Sequence, residues 1–255
     1  MEYAYGSHPG ICREVNEDRV GVFSLDGVFT VALLLDGMGG TNGGKIASHT
    51  AYDTMMTELE LRLSFLLLDE SIISNSRIGK ILADSAQVAN RAVYDLAVND
   101  PSLRGMGTTL VAAVFYQNHC CIYNVGDSRG YYISDGQITQ ITKDQSYLQY
   151  LLDADRISEN EAESFSERNV IMSAVGTERE VKGDLYYLNF TCEEDEYILL
   201  CSDGLHDAVS DTAICRWVSD TESLRKKIEM LIGAANDAGG KDNVSVALLC
   251  HKKVG

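Results

Sequence analysis

The chain begins with short apolar runs separated by turn signals. Residues 2–7, 19–24 and 28–36 read as strands, the last two joined by Asp26-Gly27, a doublet suited to a two-residue hairpin. The run 28–36 is apolar on consecutive positions, which predicts burial on both faces. The period then changes. A Gly-rich segment from Gly37 to Gly44 leads into a helix over about 45–68. A second helix is expected over about 76–98, where Ile78, Ile81, Leu82, Ser85, Ala89, Ala92 and Leu96 trace a stripe at helical spacing. Asp100-Pro101 stops it, and the short link between the two helices makes them antiparallel neighbours.

Strand patterning returns at Gly107. Runs 108–116 and 120–125 flank Gln117-Asn118-His119, and runs 130–134 and 137–142 flank Asp135-Gly136, predicting an antiparallel meander. Residues 144–165 are polar and acidic and read as surface helix. Strands resume near 184–190 and 196–202, two helices are expected at about 211–219 and 221–236, and a last strand at 243–251. Helices do not alternate singly with strands, which argues against a doubly wound parallel sheet. The expected fold is α+β, a four-layer α/β/β/α sandwich of two mainly antiparallel sheets flanked by helices. With 255 residues, only Pro9 and Pro101, and no Pro/Gly/Ser-rich divider, one domain over residues 1–255 is expected.

Charge narrows the partners. Twenty-one basic and 38 acidic residues leave a net charge of −17, against the basic footprint that nucleic acid or an anionic membrane requires. The seven cysteines (Cys12, Cys120, Cys121, Cys192, Cys201, Cys215 and Cys250) are odd in number and form no C-x-x-C pair, which suits a reduced intracellular protein. No apolar run approaches about 18 residues, and the N-terminus lacks a basic start. A cytoplasmic protein with no signal peptide and no membrane partner is the expectation.

Three aspartates stand where apolar runs end or begin: Asp36-Gly37 after 31–35, Asp203-Gly204 after 197–202, and Asp242-Asn243 before 244–249. A carboxylate at the mouth of a buried strand is costly unless a cation meets it. Taken singly, each doublet reads equally as a turn with a solvated Asp. Asn16-Glu17-Asp18 with Arg13 reads equally as a surface charge cluster, and Gly126-Asp127-Ser128 between two strands reads first as a turn. Asp203 and Asp207 lie four apart, so on a helical turn both carboxylates point the same way. Gly39 to Lys45 also has the spacing of a phosphate-binding P-loop, but Ile46 stands where Ser or Thr would hold Mg²⁺. Together the acidic positions offer oxygen donors only, which favours Mg²⁺ or Mn²⁺ over Zn²⁺.

These residues fall within a series of motifs. R-x-x-N-E-D at 13–18, D-G-M-G-G at 36–40, G-T-T at 107–109 and V-G-D-S-R at 125–129 are followed by I-T-K-D-Q-S at 141–146 and S-A-V-G at 173–176. L-L-C-S-D-G-L at 199–205 and D-N-V-S at 242–245 close the series. In this order they resemble the metal-dependent protein Ser/Thr phosphatases of type 2C, the PPM family. The resemblance implies a phosphatase acting on phosphoserine and phosphothreonine in proteins, by direct attack of a water bridging two Mg²⁺ or Mn²⁺ ions. It implies that Asp36 bridges the two ions, that Asp203 and Asp242 complete the first, and that the Gly37 carbonyl and, through water, Glu17 serve the second. Asp18 would orient water and Arg13 would grip the substrate phosphate. Asp127, Asp203 and Asp207 match the position of a third, weaker ion.

A cognate Ser/Thr kinase is implied as well. Met38 stands where eukaryotic members often carry a His proposed as general acid, which points to the bacterial branch; of the five histidines, His206 is the nearby candidate for that role. Gln145 replaces another common His. Residues 144–170 correspond to the flap beside the active site. Two other readings compatible with the resemblance are a regulatory or binding module without turnover, and a phosphatase dedicated to one regulator such as an anti-anti-sigma factor.

Overall fold

The computed structural model describes residues 1–39, 42–68, 73–162, 165, 167, 170–191 and 193–253. Gly40, Cys192 and parts of the expected flap therefore lie outside the described residues. The chain starts with β1 (Glu2–His8), β2 (Arg19–Leu25), β3 (Phe29–Leu35) and the two-residue β4 (Gly37–Met38). The helices α1 (Gly43–Leu68) and α2 (Asn75–Asn99) follow. Next come β5 (Gly107–Thr108), β6 (Leu110–Tyr116), β7 (His119–Val125), β8 (Arg129–Ser134) and β9 (Gln137–Gln140). Two short helices, α3 (Tyr147–Asp153) and α4 (Glu159–Ala162), precede β10 (Asp184–Asn189) and β11 (Glu196–Cys201). Helices α5 (Asp203–His206), α6 (Asp211–Val218) and α7 (Leu224–Asp237) lead to β12 (Val244–His251).

The strands form two five-stranded antiparallel sheets, ordered β1-β12-β11-β8-β9 and β10-β7-β6-β3-β2, and a small β4-β5 pair. Three apolar cores explain the layering. Phe29, Val31, Leu33 and Leu35 on one face of β3 pack with Leu59, Leu63, Leu82 and Ala89 of the α1–α2 pair. Ala32 and Leu34 on its other face meet Ile198, Leu200, Ala247 and Leu249 of the opposite sheet. The outer face of that second sheet, with Leu199, Val246 and Leu248, is covered by Ile214, Ile228 and Leu231 of α6 and α7. Consecutive apolar positions in β3, β6, β11 and β12 thus serve two cores at once, and the α/β/β/α layering follows.

Local chemistry agrees with the elements. Asp26 and Gly27 both take positive φ, as a β2–β3 hairpin of this handedness requires. Ser74, Ser146, Ser210 and Ser223 each cap a helix by accepting from a main-chain N–H in its first turn. At the end of α6 the carbonyl of Val218 accepts a 2.6 Å hydrogen bond from Nζ of Lys227, a buried ammonium that also lies over the Tyr197 ring.

Two expectations are corrected. The α2 stripe is phased differently at its end: Val93 is buried while Leu96 is 41% exposed and Ala92 half-buried, because the buried row follows 78, 82, 85–86, 89 and 93 at the true helical period. The meander is also divided. β6 and β7 belong to one sheet and β8 and β9 to the other, so the turn 126–128 carries the chain across the sandwich. That crossing brings Asp127 to the same end of the molecule as Asp36 and Asp203.

Candidate active site

The ends of β3 and β11, the start of β12 and the sheet-crossing turn all open at one edge of the sandwich. Asp36 follows β3 and is held through its main chain. Its N–H donates to Thr109 Oγ1 (2.9 Å), and its carbonyl accepts from Thr109 N and Thr108 Oγ1 (each 2.9 Å). Thr109 Oγ1 also meets Ser128 Oγ at 2.7 Å, which ties the Asp36 strand end to the turn bearing Asp127. The G-T-T motif is therefore the bracket for two acidic positions.

Asp18 is buried, 4% exposed. Its Oδ2 accepts from Ser202 Oγ (2.9 Å), and the same hydroxyl accepts from Ser245 N (2.9 Å). Asp18 is thus fixed to β11 and β12 from 184 residues away in sequence. Asn243 closes the segment from the other side: its Nδ2 donates to the carbonyls of Pro9 and Val15, and its Oδ1 accepts from Glu17 N (2.8 Å). Glu17 lies at the start of α1, where Oε1 accepts from Lys45 N at 3.3 Å and the helix dipole favours a carboxylate. Its carbonyl accepts a short hydrogen bond from Ser48 Oγ (2.5 Å).

Glycine is required at Gly37 by close approach. A Cβ there would stand 2.2 Å from the Gly44 carbonyl oxygen and 2.6 Å from that of Glu17. Gly44 reciprocates, with a Cβ 2.6 Å from the Gly37 carbonyl oxygen. The start of α1 is thereby pressed against the strand end.

The carboxylates crowd one another. Burial raises the Asp36 carboxyl well above the ordinary range, and the charges of Asp18, Asp203 and Asp127 raise it further. Burial pushes Asp18 up to about 7, with the Ser245 and Ser202 hydrogen bonds opposing and Asp203 adding to the rise. Asp127 is pushed to about 7 by burial first and by Asp203 second, with His206 opposing. Asp203 is raised by burial, opposed by His206 and reinforced by Asp242. Among the described residues, no hydrogen-bond donor reaches two buried oxygens, Asp18 Oδ1 and Asp203 Oδ1. Carboxylates arranged in this way either share protons or face a cation.

The donor set fits a hard divalent cation. Asp36, Asp203, Asp242, Glu17 and the Gly37 main chain line one cleft together with Arg13, Met38, Gly39, Ile171 and Asn243. Among the described residues no three His, Cys, Asp or Glu side chains form a compact cluster. Mg²⁺-type ions keep several waters, so carboxylates lining one cleft can reach such an ion directly or through water without closing into a compact cluster. Arg13 currently occupies Asp242: Nη2 meets Oδ2 at 2.9 Å, and this hydrogen bond raises the guanidinium pKa. Both side chains are about half exposed, so the pair is worth at most about 1 kcal/mol and yields readily to a stronger partner.

The neighbouring pocket, about 220 Å³, is lined by Asp127, Arg129, Asp144, Ser146, Leu148, Ala162, Asp203, His206 and Asp207. Asp203 borders both cavities. Asp203 opens α5 and Asp207 follows its end, and both line this pocket. His206 donates from Nε2 to the Asp127 carbonyl (3.1 Å), and its Nδ1 lies 3.5 Å from Asp207 Oδ1. It braces α5 against the turn and does not line the cleft of Arg13 and Asp36. Sequence reasoning did not assign Thr108, Thr109, Ser202, Ser245 or Asn243 a part. Their position within the motif series was the only available signal.

The described cysteines are free thiols, five of them buried. No helix is long and apolar enough to cross a membrane among the described residues.

Comparison with known proteins places this arrangement. The family model for protein phosphatase 2C matches residues 12–237. The chain is 32% identical over 249 residues to the serine/threonine phosphatase Stp of Listeria monocytogenes, covering 98% of this chain and 95% of that protein. It is 37% identical over 248 residues to the serine/threonine protein phosphatase PstP of Mycobacterium tuberculosis, covering 97% of this chain and 44% of PstP. Among solved structures, the PstP catalytic domain in complex with two manganese ions superposes with a TM-score of 0.81 at 34% identity, over 97% of this chain and 96% of that one. On the match over residues 12–237 and on these likenesses across nearly its whole length, the chain belongs to the protein phosphatase 2C family and is a serine/threonine phosphatase of that type.

Proposed function

We propose that this chain hydrolyses phosphoserine and phosphothreonine monoesters in proteins by direct attack of water on phosphorus, with two Mg²⁺ or Mn²⁺ ions and a third position at Asp127, Asp203 and Asp207. The observation that carries this reading is the crowding of Asp18, Asp36, Asp127 and Asp203 at one sandwich edge, each with a raised pKa, two with orphaned buried oxygens. Asp36 would lie between the two ions, with Asp203 and Asp242 on the first and Gly37 and Glu17 toward the second. Such ions supply Lewis-acid polarisation of the ester and a water of lowered pKa.

The chain's own residues supply the rest. Arg13 would leave Asp242 and grip two phosphate oxygens with its planar fork. Oδ1 of Asp18 is buried beside Asp36 and Asp203 and lacks a donor among the described residues, and it would accept a hydrogen bond from the attacking water. Met38 lines the cleft and has no acidic proton, so the leaving alkoxide would take its proton from water or from a group other than residue 38. No covalent phosphoenzyme is required. Cys120, Cys121, Cys201 and Cys250 are poorly suited to one, since burial raises their thiol pKa. The working unit is a single catalytic domain with the segment 144–170 as its flap, acting in the cytoplasm against a Ser/Thr kinase.

The test uses purified Asp36→Asn and Asp203→Asn. Both should lose at least about a hundredfold in Mn²⁺-dependent hydrolysis of p-nitrophenyl phosphate. Either variant turning over like the wild type would refute the mechanism.

A further inference from the structure

The proposed chemistry uses the acidic positions of the cleft and leaves Gln145 without a part. The structure makes Gln145 a junction. Its N–H donates to the Gly126 carbonyl (2.9 Å), and its Oε1 accepts from Gly126 N (3.1 Å). Its Nε2 donates to Asp184 Oδ2 (2.8 Å), and its carbonyl accepts from Met172 N (2.8 Å). One residue thereby joins the sheet-crossing turn, the first residue of β10 and the returning stem of the flap. The two stems are paired beyond it: Tyr147 N donates to the Val170 carbonyl (2.8 Å), and Ser146 bridges to Ile171.

Both cavities feel this junction. Gly126 precedes Asp127, whose carboxylate lines the 220 Å³ pocket with Ser146. Gly126 has φ +99°, and a Cβ there would stand 2.8 Å from Thr109 Cγ2, so the turn has little room to move. On the other side of Gln145, the returning stem brings Ile171 to the wall of the cleft that holds Arg13 and Asp36. Val170 and Met172 beside it are about half exposed.

We propose that Gln145 is a positioning residue. Its amide locks the flap stems to the Asp127 turn, so that Ile171 stands as a fixed wall against which the segment around the phosphorylated residue packs. This rests on the phosphatase reading. The chemistry of the lock is specific, because the side chain must accept from Gly126 N–H and donate to the Asp184 carboxylate at the same time. A leucine does neither. A glutamate accepts at one end but sets a second carboxylate against Asp184. A neutral histidine offers one nitrogen of each kind.

The experiment compares Gln145→Glu, Gln145→Leu and Gln145→His with the wild type in two measurements. In the metal-free proteins, hydrogen exchange is followed at the amides of Tyr147 and Met172. With Mn²⁺, kcat and KM are measured on a phosphothreonine peptide, which reaches the flap stem, and on p-nitrophenyl phosphate, which sits within the cleft. The Glu and Leu variants should exchange about tenfold faster at both amides. Their kcat/KM on the peptide should fall about tenfold, mainly through KM, against less than about twofold on the small ester. Gln145→His at neutral pH should restore both.

Wild-type exchange in the Glu and Leu variants would overturn the proposal. So would an equal loss on both substrates, which would mark Gln145 as a fold-stabilising residue alone. A wild-type protein inactive on both substrates would instead sink the phosphatase reading, and this proposal with it.

Discussion

At the scale of single residues, charge and burial separate the roles. Asp18 and Asp127 are 4% and 7% exposed, so ionising either without a partner is costly. Arg13 is the opposite case. Its pairing with Asp242 is exposed and contributes at most about 1 kcal/mol to stability. Arg13→Ala should therefore shift Tm by no more than about 2–4 °C. A charge-assisted hydrogen bond to phosphate is worth about 1.5–3 kcal/mol, so kcat/KM on a phosphopeptide should fall roughly tenfold to a hundredfold. Thermal melting and steady-state kinetics on the same preparation check both halves; a large Tm loss with unchanged kinetics would assign Arg13 to the fold. The aspartates were legible in the sequence because an acid beside glycine or asparagine at the edge of an apolar run is chemically conspicuous. Ser202, Thr109 and Asn243 were not, because small polar residues beside turns are common. Their meaning lies in partners such as Asp18, Asp36 and Glu17, all distant along the chain.

At the scale of elements, hydrophobic period carried most of the fold, and it failed where partner choice matters. Strands β3, β6, β11 and β12 were readable because they are apolar on both faces. Nothing in the run 119–134 distinguishes a hairpin from a passage between sheets, since either would present Gly-Asp-Ser as a turn. The glycines of the helices show the same limit and yield a test. Gly233 in α7 has open space where a Cβ would go, so Gly233→Ala should stabilise by about 0.5–1 kcal/mol. Gly44 in the first turn of α1 would drive a Cβ to 2.6 Å from the Gly37 carbonyl oxygen, a backbone atom that cannot rotate away. Gly44→Ala should reverse the sign, lower the denaturant midpoint and weaken Mn²⁺ binding by calorimetry. Equal stabilisation by both substitutions would mean that the α1–β4 contact is looser than described.

At the scale of the whole molecule, proton linkage joins the site to stability. Asp18, Asp36, Asp127 and Asp203 all have raised carboxyl pKa values in the folded protein, Asp18 and Asp127 at about 7. In the unfolded chain each would titrate near the ordinary value of about 3.9. Between these limits the folded state binds more protons than the unfolded state, so the slope of unfolding free energy against pH is negative. The metal-free protein should be most stable at the acidic end of that window and should lose stability as pH rises toward and through about 7. The exposed carboxylates Asp100, Asp153 and Glu161 and the half-buried Asp195 have lowered values, so they act in the opposite sense, at the acid end below the ordinary carboxylate range. The net charge of −17 adds self-repulsion in the same direction as the raised group. A divalent cation binds the ionised cluster and competes with its protons, and at a hundredfold excess over its Kd it contributes about 2.7 kcal/mol. Melting curves with chelator should thus show Tm falling from about pH 5 to about pH 8, with the gain from Mn²⁺ or Mg²⁺ small at the first and several degrees at the second. Asp36→Asn should flatten the fall and abolish much of the gain. A metal-free Tm that rises through this window, or a cation gain independent of pH, would show that the carboxylates do not carry the protons assigned to them.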